Sequence, residues 1–258
     1  MKNFITVIKR ISIGLIYILG WQVLSMWVGN KILIAGPYEV FEALVRIVNA
    51  EEFWGIIKNS LINIMTGFTL ALLFSTVMAF AAFHAEYLRM LLSPAIHICK
   101  SVPVASFIIL ILIWTGSEGI ASVISFIIAV PVIYSGTLRG FMDTDKKLID
   151  MARIFRMKSY YKIYYIYFWQ IRKRFGSDAA LALGMCFKAG VAAEVIGVAK
   201  NTLGEQIYLS KIYLNTDELF AWTIVIMVLA FAMEKAVKLV LGGMEIIHER
   251  KKSCNKSQ

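Results

Sequence analysis

Six apolar stretches, each close to the length that crosses a bilayer, leave this chain few folds to adopt. A helix needs about 20 predominantly apolar residues to span the hydrocarbon. Such runs occupy Ile11 to Gly29, Leu61 to Phe83, Met90 to Trp114, Ile120 to Leu138, Ala179 to Val198 and Leu219 to Leu241. The third is interrupted by Cys99-Lys100-Ser101-Val102-Pro103, and the fifth contains Lys188 and Glu194. The first, behind Lys2, Lys9 and Arg10, is longer than the apolar region of a secretory signal, and no A-x-A-like site follows it. It reads as an uncleaved helix. The expectation is an all-α, polytopic membrane protein with six transmembrane helices, forming one domain over residues 1–258 with a core from about 59 to 242.

Charge placement gives that topology a direction. The chain is 59% hydrophobic yet carries a net charge of +10. In a soluble protein that basicity points to nucleic acid; in a membrane protein it belongs in the cytoplasmic loops. With a cytoplasmic N-terminus, residues 1–10, 84–89, 139–177 and 243–258 carry 3, 1, 10 and 4 Lys and Arg, 18 in all. The opposite loops, 30–58, 116–119 and 200–217, carry 5. Topology therefore absorbs the basicity, both termini are expected in the cytoplasm, and no nucleic-acid partner is needed. The basic tail at 243–258, with Arg250, Lys251, Lys252 and Lys256, is expected to be unstructured and drawn to anionic lipid.

Several chemistries are excluded. Cys99, Cys186 and Cys254 are far apart and show no metal or disulfide spacing. His84, His97 and His248 do not cluster with acids as a membrane enzyme or a metal site would need. No catalytic residue, metal or cofactor is expected. There is no phosphate-binding loop; Gly184-Met-Cys-Phe-Lys188 has the wrong spacing and lies in a span. A secondary transporter, the alternative, should show internal repeats, and none is evident.

The loop at 139–177 is the longest. Asp143 and Thr144 are candidate N-caps, and Leu148, Met151 or Ala152, and Phe155 recur at the spacing of one helical face. Ser159 is placed to begin a second helix, returning through Tyr160 to Trp169. Periodicity alone leaves two readings: a short helix that docks into a partner's groove, or one lying flat on the lipid interface.

Here the sequence resembles a known family. Asp150-Met151-Ala152-Arg153-Ile154-Phe155-Arg156-Met157 sits where permease subunits of ABC importers carry their EAA motif, Glu-Ala-Ala followed three residues later by Gly. The stretch Ala182 to Gly197, above all Ala192-Ala193-Glu194-Val195-Ile196-Gly197, is very similar to the fifth span of nitrate/sulfonate/taurine-type permeases. Ala35 to Val40, Lys100-Ser101-Val102-Pro103 and Asp217 to Ala221 match other family segments, so the likeness covers roughly residues 35 to 242. Asp150 replaces the family's Glu, Met151 its first Ala and Arg156 its Gly. Gly permits a left-handed turn that costs other residues about 1 kcal/mol, so Arg156 implies a different turn or a shifted helix boundary.

The resemblance implies a type I ABC importer permease in a bacterial cell membrane, working as a homodimer. A separate ABC ATPase would dock on Asp150, Met151, Ala152, Arg153, Phe155, Arg156 and Met157, and an extracytoplasmic solute-binding protein would deliver a small, possibly anionic solute. Within the spans, ionisable groups usually face a bundle interior or a water-filled cavity. Lys188 either lines the pathway or pairs and snorkels. Six residues on, Glu194 sits about 240° around the helix, so the two cannot pair comfortably along one helix; Glu194 is a further pathway candidate, and its place near the outer end of the span favours a structural hydrogen-bonding role. Ser101 and Pro103 mark either a pathway-lining break or a simple kink.

Overall fold

The computed structural model describes residues 2–30 and 32–254; side chains are described at 12–13, 15–30, 32–145, 147–158, 160–172, 174–237 and 239. Among these residues the secondary structure is helical: α1 (Lys2–Val28), α2 (Pro37–Val48), α3 (Phe53–His84), α4 (Glu86–Ser101), α5 (Val104–Thr115), α6 (Ile120–Met142), α7 (Lys146–Ile154), α8 (Ser159–Lys162), a π-helical stretch at Ile163–Tyr167, α9 (Phe168–Gly197), α10 (Leu203–Ile212) and α11 (Thr216–Cys254).

Four of the described helices are long and apolar enough to cross a membrane: α3, α6, Arg174–Gly197 of α9 and Thr216–Val237 of α11. A fifth candidate is the pair α4 and α5, bent by 104° at its break. The expected first span is α1, whose described apolar part, Leu15–Val28, is shorter than a full crossing. The expected six spans thus correspond to four full crossings, one broken pair and α1, of which the apolar part from Leu15 to Val28 lies among the described side chains.

Helices α3 and α6 form the most extensive contact, and they run parallel. Ser122 Oγ donates to the Asn63 carbonyl at 2.8 Å, and Gly67 lies against the Ser122 backbone so closely that no Cβ would fit. Further along, Ser75 Oγ donates to the Val130 carbonyl at 3.2 Å, and Phe83 stacks on Phe141 with centroids 5.3 Å apart. The paired numbers rise together. Helix α9 fits this pair in the opposite sense: Gly190 meets Ile64 and Ser125, Cys186 Sγ donates to the Ser125 carbonyl at 3.2 Å, and Ile171 packs on Gly140. Small residues at these crossings let backbones approach closely, the usual basis of helix association in lipid.

Parallel α3 and α6 settle the role of the broken pair. The chain leaves α3 at His84 and must enter α6 at Ile120, the opposite end of the bundle, so α4 and α5 together carry it back across. The bend has a local cause. Val102 is extended (φ −76°, ψ 132°), as a residue before proline prefers, and Pro103 offers no N–H to continue α4.

At the Phe53 end, α2 forms a lid. Pro37 occupies its first turn and Glu39 Oε2 accepts from the Gly36 N–H at 3.0 Å, the acidic half of a capping box. Val40, Ala43 and Ile47 face inward. At the other end α11 continues as helix to Cys254, so the tail expected to be unstructured begins helical. The tail's basic side chains, with those of Lys2, Lys9, Arg10, Ser159, Lys173 and Lys238, lie outside the described residues.

Candidate coupling loop and translocation site

Helix α7 projects from the bundle end that also holds His84 and Met142. Its N-cap is Asp145, rather than Asp143 or Thr144: the Asp145 carboxylate accepts from the Lys147 N–H at 2.9 Å. The other two are occupied elsewhere. Asp143 pairs with Arg174 at 2.8 Å, and buried Thr144 donates to the Gly140 carbonyl at 3.2 Å. The Asp145 N–H donates to Gln170 Oε1 at 2.9 Å, so α7 is tied to the start of α9.

The apolar stripe of α7 divides between two surroundings. Ala152 is fully buried, whereas Met151, Ile154 and Phe155 are 44%, 79% and 72% exposed. Asp150, Arg153 and Arg156 are exposed beside them. One side anchors the helix; the other offers an apolar patch ringed by charge.

Arg156 keeps the left-handed turn that its departure from Gly made unexpected. Its φ is +49°. The Arg156 N–H donates to the Arg153 carbonyl and the Met157 N–H to the Ala152 carbonyl at 2.9 Å. This is a Schellman cap, which satisfies the last carbonyls of α7; the two hydrogen bonds hold the arginine in a conformation that glycine adopts freely. Arg156→Gly should therefore stabilise the α7 end by about 1 kcal/mol, read as roughly fivefold slower amide exchange there. Faster exchange would contradict the strain.

At the opposite end, Glu194 is fully buried. Its Oε2 accepts from Ser60 Oγ at 2.7 Å and from the Gly204 N–H at 3.2 Å. Ser60 Oγ also accepts from the Leu203 N–H at 2.8 Å. One carboxylate thus joins α3, α9 and the start of α10. Gly204 touches the Glu194 Cβ and the Val195 backbone, leaving no space for a side chain. The intervening loop is conformationally costly: Val198 and Asn201 have φ of +49° and +54°. Thr202 caps α10 by accepting from the Glu205 N–H at 3.3 Å.

Lys188 lies on another face of α9. It lines a cavity of about 310 Å³ with Gly184, Thr223, Met227, Phe231 and Glu234 of α9 and α11. Ser101 and Pro103 flank the bend between α4 and α5, where Ser101 Oγ donates back to the His97 carbonyl at 2.8 Å. These residues therefore occupy separate places: a projecting loop helix, a buried clamp, an open α9–α11 cavity and a helix break. Ser60 and Gly204, the partners of Glu194, were not singled out in the sequence; Ser60 follows Lys58 and Asn59 just before the second apolar run, where a serine carries no distinguishing signal.

The family described as binding-protein-dependent transport system inner membrane component matches residues 71–240. The chain belongs to this family. The match takes in the broken pair, α7 and the Glu194 stretch of this permease. The permease is 24% identical over 238 residues to the taurine transport system permease protein TauC of Escherichia coli (strain K12), covering 88% of this chain and 86% of that one. It is 23% identical over 227 residues to probable ABC transporter permease proteins of Brucella melitensis biotype 1 and Brucella abortus (strain 2308), covering 85% of this chain and 88% and 87% of theirs.

Proposed function

We propose that this permease is one half of a homodimeric, ATP-driven importer, in which a separate ATPase docks on α7 and an extracytoplasmic binding protein delivers a small anionic solute of the sulfonate type. The observation that carries the reading is the division of α7. Ala152 is buried and the Asp145–Gln170 hydrogen bond ties α7 to α9, while Met151, Ile154 and Phe155 remain available to a partner. The charge count places this end of the bundle, and both termini, in the cytoplasm. Lys188 and the Ser101–Pro103 break line the route that opens between the two copies, and Glu194 acts as the clamp that keeps the opposite end of the bundle rigid.

The test is reconstitution in proteoliposomes with candidate ABC ATPase and solute-binding proteins from the same organism. Uptake of a sulfonate that requires ATP supports the reading; uptake that needs only an ion gradient overturns it and favours the secondary transporter. In the same assay Lys188→Ala should reduce uptake about tenfold with normal complex yield, a loss of about 1.4 kcal/mol. Unchanged uptake would remove Lys188 from the route.

A further inference from the structure

A second cavity, of about 350 Å³, opens between α4 and α6. Arg89, Lys100, Tyr134, Ser135 and Arg139 line it, with Leu138 among its apolar walls. Lys100 Nζ donates to Ser135 Oγ at 2.8 Å. That leaves the ammonium two further donors and turns the serine hydroxyl hydrogen outward. Tyr134 is 5% exposed, and its hydroxyl has no hydrogen-bond partner. A buried hydroxyl left without a partner is uncommon unless something absent from the protein itself completes it. Among the described residues no salt bridge joins a carboxylate to Lys100 or Arg139: Glu86 is engaged by Arg89 at 2.8 Å, and Asp178, which lies outside the cavity, is shared between Arg174 at 3.9 Å and the charge of Arg139. A lysine with no salt bridge, an arginine that shares Asp178 with Arg174, a buried hydroxyl without a partner and a carboxylate-free lining form a wall dominated by donors, with Ser93 and His97 beside them.

We propose that this cavity binds an oxyanion, held by Lys100, Arg139, Tyr134 and Ser135. A sulfonate, sulfate or phosphate group carries several acceptor oxygens and a negative charge that complements the two cations. Ser135 lies seven residues before Met142, about 10 Å along α6, so the site sits in the half of the bundle nearest α7. From there it can be reached by a free anion or by the headgroup of an anionic lipid. Lys100 is the penultimate residue of α4, so the site begins one turn or less before the Val102–Pro103 bend. This proposal does not depend on the ATPase or on transport.

The experiment uses the full chain purified in neutral detergent. Its thermal unfolding is followed against sodium methanesulfonate, with sodium chloride at equal ionic strength as reference. A parallel arm uses nanodiscs of phosphatidylcholine with and without phosphatidylglycerol. Saturable protection is expected, with half-maximal protection needing at least tenfold more ligand in Lys100→Gln and in Arg139→Gln but unchanged in Lys211→Gln on α10. Protection by methanesulfonate identifies a free anion as the ligand; protection only by phosphatidylglycerol identifies a headgroup. Tyr134→Phe guards against a folding artefact. It should unfold no earlier than the wild-type chain without ligand, because it removes an unpartnered hydroxyl, yet need about threefold more ligand. No saturable protection in either arm, or protection equal in the wild type and all variants, overturns the proposal.

Discussion

Glu194→Ala is expected to cost about 3–6 kcal/mol and to remove most of the folded protein from a detergent preparation. The substitution takes away the acceptor for the Ser60 hydroxyl, 2.7 Å away, and for the Gly204 N–H, 3.2 Å away. Both lie where water does not reach, and each buried donor left unmade costs about 1–3 kcal/mol. The lost side-chain volume adds a cavity beside Gly204, whose contact with the Glu194 Cβ is already close. Against a total stability of about 5–15 kcal/mol, that is a large fraction. Strain compounds the effect, because Val198 and Asn201 hold left-handed conformations only while the surrounding bonds oblige them to. Glu194→Gln retains an acceptor oxygen and should cost less. The check is the melting temperature of both variants in one detergent; an alanine variant as stable as the wild type would dismiss the clamp.

Phe155→Asp should abolish recovery of the ATPase with the permease, lowering affinity at least a hundredfold, or about 2.8 kcal/mol. Aromatic anchors at the centre of an interface contribute on this scale, and a carboxylate in their place must be desolvated without a partner. Phe155 is the residue to change because it is 72% exposed in the isolated chain. Ala152 belongs to the same sequence motif but is fully buried, so an acid there would break the attachment of α7 to the bundle and mimic uncoupling. The measurement is co-purification from cells expressing both subunits, alongside the melting temperature of the permease alone. Normal complex yield with Phe155→Asp would remove α7 as the docking element.

The helical content was legible because apolar runs of about 20 residues admit little else. The α4–α5 break was legible because proline's chemistry is local. Arg156 was misjudged for a physical reason: the rule that glycine favours a left-handed turn describes a cost of about 1 kcal/mol, which the Schellman hydrogen bonds of α7 outweigh. Asp145 was missed as a cap because three neighbouring residues could each have served. Long-range chemistry stayed out of view. Lys100 and Arg139 stand 39 positions apart on different helices, and only the packing of α4 on α6 brings them to one cavity. The same holds for Ser60 and Glu194, joined across 134 positions.

The parallel course of α3 and α6 also sets a timetable for synthesis. Neighbouring spans usually pair as hairpins as soon as the second emerges, but Ser75 must wait 55 residues for Val130. At about 5–20 residues per second that delay is roughly 3–11 s. Through that interval α3 stands in the lipid with Gly67, Ala71 and Ser75 uncovered, a surface to which other helices with small residues could adhere. The broken pair α4–α5, delivered into that gap, is the only later segment at hand to shield it until α6 arrives.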